Sequence, residues 1–75
     1  MHKTVLSQVA DLLAEEAETR KDVALSQATI AALLGVSRQS VNEALGRLRE
    51  QAAVSTGYRN IRIIDADNLA VIAAS

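Results

Sequence analysis

Three observations along these 75 residues predict a mainly α chain with a small antiparallel β-hairpin. Hydrophobic residues recur every three or four positions over residues 4–19, 26–34 and 38–51, the spacing that gives a helix one apolar stripe. The period changes to two over residues 54–64, where Ile61 and Ile63 alternate with Arg62 and Ile64. Between the second and third helical stretches stands Gly35-Val36-Ser37, a turn short enough to set two helices at a sharp angle.

The first stretch, residues 4–19, places Val5, Leu6, Val9, Leu12, Leu13 and Ala17 on one side and Asp11, Glu15, Glu16 and Glu18 on the other. It reads as a supporting helix. Residues 20–25, RKDVAL, follow as a turn and a Val-Ala-Leu segment able to add a short strand to the hairpin. Ser26 then offers a hydroxyl to an orphan N–H of a second helix, residues 26–34, which carries Ile30, Ala31, Leu33 and Leu34 on its apolar side. Gly35 leaves that helix through a left-handed position.

Ser37 caps a third helix, residues 38–51, with Val41, Ala44, Leu45 and Leu48 turned inward. Gly46, inside that helix, costs about 1 kcal/mol relative to Ala, so either the backbone of a bound partner or a neighbouring helix comes close there or packing makes no use of the site. Gly57 and Asn60 supply turn chemistry at the tip of the hairpin, residues 54–64. Asp65 or Asp67 can cap a short last helix, residues 66–74, whose Leu69, Val71 and Ile72 are available to dock on the first. These pieces make a single domain, residues 1–75.

Composition narrows the function classes. A chain this short buries only about 60% of its unfolded surface, and its core has Ala, Val, Leu and Ile to work with but no Phe or Trp. No catalytic cleft of ordinary size is expected. The lack of Cys removes disulfides, thiolate metal sites and cysteine catalysis, and a lone His2 makes no metal site. No nucleophile–base pair or phosphate loop is found, so the chain is not expected to be an enzyme or to hold a cofactor. No apolar run approaches the roughly 18 residues of a membrane span, and the default is a soluble, cytoplasmic protein without a membrane partner.

What the third helix leaves outside is Arg38, Gln39, Ser40, Asn42 and Glu43, all in its first two turns. Arg grips guanine bidentately, Asn and Gln do the same for adenine, and Glu accepts from cytosine, so Arg38, Gln39, Asn42 and Glu43 form a vocabulary for major-groove base edges. Ser26, Gln27, Ser40, Arg47 and Arg59 would then hold the domain on phosphates. Tyr58, beside Arg59 at the hairpin tip, either donates to a phosphate or covers an edge of the core. Arg47 and Arg49 also suit the C-terminal end of their helix as solvated charges. The net charge of −1 looks wrong for DNA, but residues 38–62 hold five Arg against Glu43 and Glu50, a local +3.

GVSRQSVNEALGRLREQ, with the later segment ending IRIID, resembles the winged helix-turn-helix of the Crp/Fnr transcriptional regulators over roughly residues 4–70. The resemblance implies sequence-specific binding of double-stranded DNA at an operator half-site. It also implies an upstream sensing domain and a dimerisation helix, with a homodimer in the full-length regulator and a monomer or weak dimer for the isolated domain. Departures stand at Glu43, where a second Arg is common, at Gly46, where Lys or Arg is common, and at Ala52-Ala53-Val54 in place of Gly-Leu-Ile. Two other classes fit the pattern. A GntR-like winged helix would usually enter its first helix through Pro-Ser, absent here; a winged helix devoted to protein–protein contact is permitted by the net charge.

Overall fold

The computed structural model describes residues 4–57 and 59–75, ordered as α1 (Val5–Glu16), β1 (Asp22–Val23), α2 (Gln27–Leu34), α3 (Arg38–Glu50), β2 (Val54–Gly57), β3 (Asn60–Ile63) and α4 (Ala66–Ala73). All four of these helices start the same way. The side-chain oxygens of Thr4, Ser26 and Ser37 each accept from the backbone N–H three residues on, and Asp65 does so for α4, which settles the choice between Asp65 and Asp67. Asp67 instead sits in the first turn of α4, where a carboxylate suits the helix dipole.

Helix α1 stops at Glu16 rather than running to residue 19. The N–H groups of Glu18 and Thr19 reach back only three residues, to Glu15 and Glu16, and the Thr19 hydroxyl donates to the Glu16 carbonyl at 3.3 Å. An acidic run at a helix C-terminus opposes the dipole, so tightening and local capping win over another α turn. Gly35, at φ 70°, closes α2, and the next N–H, of Val36, donates to Ala31 O at 3.0 Å.

The strand order is β1-β3-β2, all antiparallel, with Val23 opposite Ile61 and Val54 opposite Ile63. Only Asp22 and Val23 pair, so the expected Val-Ala-Leu strand is shorter. Ala24 is already exposed as the chain turns toward the Ser26 cap. A Cβ at Gly57 would meet the Asn60 side-chain oxygen, so any other residue there would make the Asn60 side chain shift.

The core is aliphatic. Val9 and Leu13 of α1, Ile30 of α2, Val41, Leu45 and Leu48 of α3, Val23 and Ile61 of the sheet, and Leu69 of α4 are all buried. Helix α4 packs chiefly on α1, where the buried Ser7 hydroxyl donates to Ala73 O at 2.8 Å. Two side chains, Leu33 and Val71, depart from the expected inward sets, while Ile64 is exposed on the Arg62 side of its alternation. Leu33, Val71 and Ile64 are 62%, 67% and 56% exposed. Leu33 lies off the stripe made by Ile30, Ala31 and Leu34, and Val71 lies opposite the Leu69–Ile72 side that meets α1.

Beyond α3 the chain takes a sharp bend at Ala52, whose φ of 56° is in the left-handed region. The N–H of Ala53 donates to Leu48 O and that of Ala52 to Arg49 O, the paired bonds of a Schellman cap with alanine in the glycine position. A Cβ is disfavoured there by about 1–2 kcal/mol, offset in part by the greater freedom glycine loses on folding. Ala52→Gly should therefore stabilise the fold by about 0.5–1 kcal/mol, read as a higher urea midpoint with an unchanged slope. A lower midpoint would show that the bend carries no strain.

Candidate nucleic-acid interface

Helix α3 buries Val41, Ala44, Leu45 and Leu48 and turns the rest of its surface outward. At about 100° per residue, the direction opposite that buried stripe is occupied by Gln39, Glu43, Gly46 and Glu50. Arg38, Asn42 and Arg49 fall along one flank, and Ser40 and Arg47 along the other. The flanks face different neighbours. Arg38 lines a cleft of about 220 Å³ together with Ser26 and Gln27 at the start of α2 and with Thr56, Gly57, Arg59 and Asn60 of the hairpin. Ser40, Glu43 and Arg47 line a second groove, of about 230 Å³, beside Thr4, Val5 and Leu6 at the start of α1.

The residues singled out in the sequence thus fall into two groups. Four of them, Ser26, Gln27, Arg38 and Arg59, share the cleft between helix starts and wing. Asn42 joins them through its Nδ2, which donates to Gln27 Oε1 at 3.2 Å and ties the two helices together. Three others, Ser40, Glu43 and Arg47, share the opposite groove. Gln39 is exposed between the two groups. Tyr58 lies outside the described residues. The Ser26 oxygen is engaged by the Thr29 N–H at 3.1 Å, and Ser37 Oγ donates to Ser40 Oγ at 2.9 Å, so both serines help build helix starts.

Two arginines have partners that local patterning did not reveal. Arg49 is not simply a solvated helix charge, because its Nη1 donates to Thr56 Oγ1 at 2.9 Å and braces β2 against α3. Its signal lies only in the tertiary approach of wing and helix. Arg62 faces Asp22 across the β1–β3 pair at 3.9 Å. Of the five arginines behind the local +3, Arg38, Arg47 and Arg59 line the two grooves. Arg59 holds a left-handed φ of 60° at the hairpin tip, a conformation uncommon for a residue with a side chain.

The profile of the Crp-like helix-turn-helix domain matches residues 7–72. The chain belongs to that family. The family is one of DNA-binding domains of transcription regulators, not of enzymes. The HTH-type transcriptional regulator Cmr of Mycobacterium tuberculosis is 38% identical over 63 residues, covering 84% of this chain and 25% of that protein. A CRP-family transcriptional regulator from Thermus thermophilus superposes with a TM-score of 0.86 at 27% identity, over 99% of this chain and 42% of its own. FixK2 from Bradyrhizobium japonicum gives 0.83 at 28%, over 99% of this chain and 40% of its own. The chain therefore spans a quarter to about two fifths of the length of these relatives. Among the described residues, no helix is long and apolar enough to cross a membrane, and no cluster of side chains could hold a metal ion.

Proposed function

We propose that this chain reads double-stranded DNA in a sequence-specific manner, with the first turns of α3 in the major groove. The observation that carries this reading is the capped, exposed start of α3, where Arg38, Gln39, Asn42 and Glu43 project beyond a fully buried opposite face. Arg38, Gln39 and Glu43 read base edges, and Asn42, anchored by Gln27, reads with its remaining donor and acceptor capacity. Arg47 on one side, and Ser26, Gln27 and Arg59 on the other, meet phosphates on the two walls of the groove, with Ser40 and Tyr58 adding hydroxyl donors. The reading extends to a bacterial transcription regulator working in the cytoplasm as a two-fold pair. Each copy takes one half-site, and half-site centres lie about 34–36 Å apart. The single domain is a monomer or weak dimer.

Selecting preferred sites from a random duplex pool and then titrating salt against the selected duplex tests this. If about four phosphates are engaged, affinity should fall roughly 10²-fold between 50 and 200 mM salt. A flat salt response with no preferred site would remove DNA reading and leave a protein-contact module.

A further inference from the structure

Gly46 is the only glycine inside a helix of this chain, and nothing in the domain requires it. Its φ is not left-handed. A Cβ built there would meet only the end of the Arg49 side chain, at 3.7 Å, which is ordinary van der Waals contact. Alanine would fit, and would favour the helix. No contact within the domain accounts for a bare backbone at this point.

The position of Gly46 narrows what lies outside. It sits on the outward stripe of α3 with Gln39 two turns before it, Glu43 three residues before it and Glu50 four residues after it. The side chains rooted on that stripe are Gln39, Glu43 and Glu50; the arginines of α3 are rooted to either side, Arg38 and Arg49 toward the wing and Arg47 toward α1, and the bonded guanidinium of Arg49 ends beside Gly46. The stripe points away from the buried face of α3, toward a groove floor, where the carboxylates of Glu43 and Glu50 can accept hydrogen bonds from cytosine amino groups. The flanking arginines match the phosphates along both walls.

We infer that Gly46 is a specificity-determining position, a gap in the α3 surface through which the base edges of the preferred duplex approach the helix backbone. The inference rests on the groove placement given above. A side chain at residue 46 holds the third turn of α3 away from the floor, so α3 is seated over more of its length than its first two turns. Because a helix on non-preferred DNA is held by phosphates alone, the effect of filling the gap is confined to the preferred site.

The test compares the native chain, Gly46→Ala and Gly46→Gln by thermal melting and by titration with the selected duplex and a scrambled duplex of equal length. Gly46→Ala should melt about 4–8 °C higher, showing an intact and tighter fold. The same variant should bind the selected duplex about 10-fold more weakly, and Gly46→Gln more weakly still, while both bind the scrambled duplex as the native chain does. Native-like affinity of both variants for the selected duplex would overturn the inference and leave the groove placement standing. Equal weakening on both duplexes would also overturn it, by making residue 46 a backbone contact. No preference in the native chain itself would remove the groove placement and the inference together.

Discussion

Leu48→Ala is expected to destabilise the fold by about 2–5 kcal/mol. Leu48 is fully buried at the centre of the core formed by α1, α3 and the sheet, and its carbonyl also receives the Ala53 N–H that closes the bend into β2. A domain of this size has roughly 4–11 kcal/mol of total stability, so one truncation removes a large share of it. The reason is the make-up of the core: without Phe or Trp, no large neighbour can lean into the vacated volume, and the cavity term adds to the lost transfer energy. Urea denaturation followed by circular dichroism measures the loss. A change below about 1 kcal/mol would mean that the core collapses around the site or that Leu48 is not central to it.

Arg38→Ala is expected to weaken binding to the selected duplex by about 1–3 kcal/mol, a loss of roughly 5- to 150-fold, and to relax preference at one base position. Arg38 opens α3, is exposed, and lines the cleft it shares with Arg59 and Gln27, so on the proposed groove placement its guanidinium would stand where a base edge and the wing-side phosphates converge. Its measurement is the same titration against a set of single-base variants of the site. A uniform loss across all of them would reassign Arg38 to phosphate. If Arg38→Ala and Gln39→Ala both left specific binding unchanged, α3 would not be the reading helix.

The legible parts of this fold are those decided within a few residues. Ser26 and Ser37 were readable as caps because each needs only a hydroxyl and the N–H three residues on, and Gly35 because a left-handed helix exit favours one residue type. The inward set of α3 was complete, since Val41, Ala44, Leu45 and Leu48 are the only large or small apolar residues it has. In α2 the same reasoning went too far with Leu33, because a helix apolar on nearly every side does not say which side is covered. Val71 in α4 misled for the same reason.

For the interface, residue types and their crowding into the start of one helix were enough to nominate Arg38, Gln39, Asn42 and Glu43. Their grouping was not. The bonds from Asn42 to Gln27 and from Arg49 to Thr56, and the facing of Arg62 to Asp22, link separate elements, and their geometry follows from how α2 and the hairpin pack on α3.

The sequence by itself determined the order and type of the helices, the caps of α2 and α3, the hairpin, the buried side of α3 and the membership of the Crp-like helix-turn-helix family. The structural features follow from periodicity and from hydrogen bonds that close over three or four residues, and the membership from likeness over residues 7–72. Only the tertiary structure decided that Arg38 and Arg59 share one cleft while Arg47 lines another, that Arg49 braces the wing, and that a side chain at Gly46 would meet no more than the end of Arg49. Burial and charge pairing across elements depend on how the core closes, and that is a property of all the packed faces at once.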